Sequence, residues 1–89
     1  MTYSIEVEQE EDGRWLAEVP SLPGVLAYGA TPQEARARVQ ALALRVVADR
    51  LEHGEADPNQ LTTISFAAAN GQALARSEEK RRRIDHDSQ

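Results

Sequence analysis

The sequence predicts an α+β domain with the element order β-β-β-α-β: a three- to four-stranded antiparallel sheet with one long helix packed on one face. Three observations carry that expectation. Apolar and polar residues alternate with period two over residues 3–7 and again over 15–19, the pattern of strands with one face on a core and one in solvent. Residues 31–54 hold a complete set of helix start and stop signals. A further β-prone stretch follows that helix at residues 61–66.

Strand one places Tyr3, Ile5 and Val7 on one face and Ser4, Glu6 and Glu8 on the other. Glu10-Glu11-Asp12-Gly13 breaks the alternation, and Gly13 supplies the positive φ that a tight hairpin requires. Trp15, Ala17 and Val19 resume it as strand two; Trp15, in phase with the other two, reads as core. Pro20-Ser21-Leu22-Pro23-Gly24 is a rigid connector in which both prolines remove ladder donors. Val25 to Gly29 is then a short third strand.

For the helix, Thr31 is the expected N-cap and Pro32 the first helical residue, with Glu34 reaching back to the Thr31 amide as a capping box. Gly54 and Pro58 end it, so it spans 32–53, a length of roughly 30 Å. Ala35, Val39, Leu42 and Val46 form one apolar stripe, sufficient for a small sheet. Leu44, Val47, Ala48 and Leu51 form a second, more than one sheet face buries. Either the segment after the helix folds over that second stripe or a second subunit or partner covers it. Leu61 to Phe66 is the fourth strand, with Ile64 and Phe66 on one face; Ala67-Ala68-Ala69 leads out of it. Residues 1–69 are thus the expected domain, and 70–89 a charged tail expected to be flexible or to be ordered by a partner.

Size and composition narrow the functional classes. A chain of 89 residues holds one domain, and one of this size buries only about 60–65% of the surface its unfolded form exposes. Cysteine is absent, so disulfides, thiolate metal sites and cysteine nucleophiles are excluded, and oligomerisation, as a dimer or tetramer, is the expected support. The acidic, alternating N-terminal stretch has no basic leader, and nowhere do about 18 apolar residues run together. A cytoplasmic protein with no membrane association is expected.

Residues 1–60 carry eight Glu and three Asp against five Arg, a net charge of −6, whereas residues 61–89 carry +1. An acidic body favours a basic partner and repels phosphates. Lys80, Arg81, Arg82 and Arg83 are the one cluster able to contact phosphate, which makes a weak nucleic-acid binder an alternative reading.

Catalytic motifs are missing. There is no phosphate loop, dinucleotide fingerprint or nucleophile elbow, and the two histidines, His53 and His86, fall at a helix end and in the tail. Glu6, Glu8 and Glu10 share one face of strand one, and Glu18 on strand two falls near them. Such a stripe is a wet strand face, a docking site for a basic partner, or a Mg²⁺ site; the last needs converging, partly buried oxygens. No catalytic residue, metal or cofactor is expected, and the Glu face is assigned to partner docking.

Tyr3 to Val7, the run Gly13-Arg14-Trp15-Leu16-Ala17-Glu18-Val19-Pro20, Leu22-Pro23-Gly24, Gly29 and Thr31-Pro32-Gln33-Glu34-Ala35 together resemble the N-terminal domain of HicB-like antitoxins over roughly residues 2–67. The resemblance implies a truncated ribonuclease H-like fold lacking the catalytic carboxylates. It also implies a function: binding a small basic HicA-type toxin that cleaves messenger RNA, and masking its catalytic histidine. That toxin would have a double-stranded-RNA-binding-like fold. Two features depart from the family. Val25 stands where many relatives have Cys, and about 22 residues follow strand four, fewer than a helix-turn-helix or ribbon-helix-helix module needs. DNA binding and autorepression are not expected on that count. An orphan oligomeric regulatory domain is the remaining alternative.

Overall fold

The computed structural model describes residues 1–69. Its elements are β1 (Thr2–Gln9), β2 (Trp15–Glu18), β3 (Leu26–Gly29), α1 (Pro32–Glu52), a 3₁₀ turn (Pro58–Leu61) and β4 (Ser65–Ala68). The four strands form one sheet in the order β3-β2-β1-β4, and α1 lies across one face of it. The expected α+β class and element order are present.

The sheet is mixed, however, and not antiparallel throughout. β1 pairs antiparallel with β2, and β2 with β3, but β1 and β4 are parallel. Two hairpins bring β3 back to the direction of β1. The single helix then reverses the chain once more, so β4 can only arrive parallel to β1.

The first hairpin is built by its turn residues. Gly13 has φ +92° and donates to the Glu10 carbonyl at 3.0 Å, while Glu10 donates to the Arg14 carbonyl at 2.7 Å. Asp12 holds Arg14 twice, accepting from its backbone N–H at 3.0 Å and from Nε at 2.7 Å. Those two bonds, the backbone one first, stabilise the ionised carboxylate and hold the Asp12 pKa below its ordinary 3.8. In the second connection, Val19 donates to the Val25 carbonyl and Leu22 to the Val19 carbonyl, both at 3.0 Å. That arch tucks Leu22 and Val25 into the core, and the third strand proper starts one residue later than expected.

At the start of α1, Thr31 Oγ1 accepts from the Glu34 N–H at 3.0 Å, as the capping signature requires. Glu34 Oε1 accepts from the Ala30 N–H at 3.1 Å, one residue before the Thr31 amide expected to be its donor. The helix ends at Glu52 with His53 as C-cap. Gly54, at φ +71°, donates to the Leu51 carbonyl at 3.3 Å and Glu55 to the Arg50 carbonyl at 2.8 Å, which together make a Schellman end.

The core is one layer thick. Tyr3, Ile5 and Val7 of β1, with Trp15, Ala17 and Val19, meet Ala35, Val39, Ala43 and Val47 of α1. The helix residues recur every fourth position, so they form one row facing the sheet. Val47, assigned from sequence to an oligomer interface, is 2% exposed and belongs to this row; Leu42 and Val46 flank it half-buried. Small residues set the spacing between layers. At Gly29 an added Cβ would stand 2.5 Å from the backbone nitrogen of Ala35, so the end of β3 and the first turn of α1 touch backbone to backbone.

The fourth strand is shifted. Leu61, expected to begin it, instead ends the 3₁₀ turn, which is started by Pro58 and by Asp57, whose carboxylate accepts from the Asn59 N–H at 2.9 Å. The pairing partners of β1 are Ser65 to Ala68, and Ala69 still donates to the Ile5 carbonyl at 3.0 Å, so the alanines expected to lead out of the strand complete it. Phe66 stacks on Tyr3 with ring centroids 5.8 Å apart.

Gly29→Ala should cost about 3 kcal/mol, because the new methyl meets rigid backbone; a urea melt reads this, and an unchanged midpoint would contradict the close approach. The depressed Asp12 pKa means that its hairpin contribution is present above pH 3.8 and is lost as pH falls through the lower folded-state value. Relative to Asp12→Asn, the wild type should therefore be the more stable at neutral pH, with the gap closing in acid, as thermal melts across pH would record.

Candidate protein-binding surface

With α1 on one side, the opposite face of the sheet is defined by strand phase. Residues one position out of register with the core point there: Ser4, Glu6 and Glu8 from β1, Leu16 and Glu18 from β2, Leu26 and Tyr28 from β3. The pairing sets them in rows. Glu8 lies opposite Leu16, and Leu16 opposite Tyr28; Glu6 lies opposite Glu18, and Glu18 opposite Leu26.

The face therefore has an apolar end over β3 and an acidic centre over β1 and β2. Leu26 is 42% exposed and Tyr28 36%, while Glu6 and Glu8 are half-buried and Glu18 exposed. A shallow depression lined by Glu6, Val7, Glu8, Leu16 and Glu18 marks the acidic centre. Two like charges directly opposite on neighbouring strands, Glu6 and Glu18, disfavour one another. Cationic groups arriving at this face relieve that repulsion.

The sequence expectation of Glu6, Glu8 and Glu18 on one surface is met by this register. Glu10 is different. β1 ends at Gln9, whose partner is Trp15, and Glu10 sits one residue further on in the hairpin, off the strand whose alternation had assigned it to the face.

Leu16, Leu26 and Tyr28 were not singled out from sequence as part of the surface. The signal was present: Leu16 shares the phase of Glu18, and Leu26 alternates with the inward Ala27. Arginines border this apolar end. The Arg14 guanidinium lies 4.3 Å from the centroid of the Tyr28 ring, a cation–π distance. Arg38 Nη1 donates to the Tyr28 carbonyl at 2.9 Å, and Nη2 lies 3.2 Å from Glu34 Oε1. Arg38 thus ties the outer strand to the helix.

The remaining assignments lie elsewhere. Leu44, Ala48 and Leu51 are exposed on the outer side of α1, away from the sheet. His53 Nδ1 lies 2.8 Å from the Asp49 carbonyl and 3.3 Å from its carboxylate, where it closes the helix end. Among the described residues, no three His, Asp or Glu side chains are grouped to hold a metal ion, and no helix is long and apolar enough to cross a membrane. A cleft of about 210 Å³ between the end of α1 and the 3₁₀ turn, lined by Met1, Tyr3, Val47, Arg50, Asp57 and Leu61 among others, is smaller than the roughly 300 Å³ of typical ligand sites. Lys80, Arg81, Arg82 and Arg83, and the whole 70–89 tail, lie outside the described residues.

No family model, no curated protein and no solved structure matches this chain.

Proposed function

We propose that this chain is a non-catalytic, antitoxin-like binding domain of the HicB kind, whose open sheet face docks a small basic HicA-type toxin and masks its RNA-cleaving site. The observation that supports this most directly is the juxtaposition of Glu6, Glu8 and Glu18 with Leu16, Leu26 and Tyr28 in one register. A toxin that binds RNA must carry a cationic surface, and an acidic face is the physical complement of that surface.

The two halves of the face divide the work. The carboxylates steer a cationic partner and set its orientation, an effect that accelerates association and weakens with salt. The leucines and Tyr28 provide the apolar contact that slows dissociation once water is excluded. No group on this chain has to react. Occupying the RNA-binding surface keeps the phosphodiester away from the toxin's own catalytic histidine.

The test is reconstitution. Tagged full-length chain is used to recover a compact basic protein from the native host, and that protein is assayed for RNA cleavage with and without the chain. Suppression by the wild type and its loss in Glu6→Lys/Glu8→Lys are the expected pair. Affinity should fall about a hundredfold in that variant with the melting curve little changed. Cleavage suppressed equally by both proteins would remove the docking role of this face.

A further inference from the structure

The outer side of α1 carries a second surface, unrelated to the sheet face. Ala37, Ala41, Leu44, Ala48 and Leu51 follow one another at spacings of four, three, four and three residues, which is the seam of a coiled-coil heptad. All five are exposed, with Leu44 at 45% and Leu51 at 37%. At about 100° per residue the centre of this ridge is about 140° from the centre of the row that packs on the sheet. The helix therefore has two apolar faces, and the described domain covers only one.

The charges beside the ridge indicate what covers it. Along its flank run Glu34, Arg38, Arg45, Asp49 and Glu52. Glu34 pairs with Arg38 at 3.2 Å and Asp49 meets His53 at 3.3 Å. Arg45 and Glu52 have no ion pair among the described residues. They are seven residues apart, and so occupy equivalent positions on successive heptads.

We propose that the ridge pairs with the same ridge of a second copy of this chain, antiparallel about a two-fold axis near Ala48. In that arrangement Arg45 of each copy lies against Glu52 of the other, so two complementary contacts form about the axis. A parallel pairing would set Arg45 and Glu52 beside the opposite flank of the partner helix, that of Gln40 and Val47, where neither finds an opposite charge, and is disfavoured. Ala48 lets the helices approach closely at the axis, and Leu44 and Leu51 pack on either side of it. About this axis the two helices overlap over residues 45–52, about 12 Å at 1.5 Å per residue. An interface of that extent belongs to the small, reversible class. It leaves both open sheet faces accessible, and it stands whatever the sheet face binds.

Sedimentation equilibrium of the full chain, from about 10 to 500 μM, tests this arrangement, with circular dichroism as the check on folding. A reversible dimer is expected for the wild type and a monomer for Leu44→Glu/Leu51→Glu. Because these positions are exposed in the single chain, the variants should keep the wild-type spectrum. Arg45→Glu and Glu52→Arg should each weaken dimerisation about tenfold, and the combined Arg45→Glu/Glu52→Arg protein should regain most of the loss. A wild type that remains monomeric throughout, or a Leu44→Glu/Leu51→Glu protein that still dimerises, would overturn the proposal. A combined charge exchange no better than the single changes would overturn its antiparallel geometry.

Discussion

The backbone contact between Gly29 and Ala35 fixes the rest of this domain. It brings the last residue of β3 against the first turn of α1 with no room for a side chain, so the helix begins its path across the sheet at one edge and at minimum separation. Val39, Ala43 and Val47 then continue that path over the buried positions of β2 and β1. Ala at two of the four core positions of the helix keeps the layers close along its length. The capping bonds at Ala30, Thr31 and Glu34 pin the same junction from the outside.

A single helix over a four-stranded sheet leaves surfaces that the domain does not cover. The helix has one side, the sheet has the other, and they differ in chemistry. The sheet side mixes carboxylates with leucine and tyrosine, a composition suited to a cationic protein. The helix side is aliphatic with charges along one border, suited to an identical helix running the opposite way. Their separation on opposite sides of the molecule means that self-association and partner capture need not compete. In the proposed dimer, two acidic faces would point away from the common axis and double the valency toward a basic partner.

Much of this was legible in the amino-acid order. The alternation of Tyr3, Ile5 and Val7 located β1, Gly13 the hairpin, and Thr31, Pro32 and Gly54 the ends of the helix, because each reports a local backbone requirement. What stayed hidden depended on long-range geometry. The direction of β4 follows from counting chain reversals across the whole fold, and Leu61 to Phe66 reads as β-prone although Asp57 and Pro58 spend its first residue on a 3₁₀ turn. Val47 differs from Leu44 only in its angle to a sheet whose placement is set by Gly29. For the surface, the carboxylates stood out because an acidic stripe is conspicuous, whereas Leu16, Leu26 and Tyr28 became part of it only once the register placed them beside Glu8 and Glu18.

The proposed function requires that a basic partner meet the open sheet face. Titrating isotope-labelled full-length chain with that partner, and following backbone amide resonances, locates the contact directly. The predicted result is that the largest shifts fall on Glu6, Glu8, Leu16, Glu18 and Tyr28, with the helix residues Ala37 to Leu51 little affected. Shifts concentrated on the helix ridge, with the β1–β2 resonances unmoved, would contradict it.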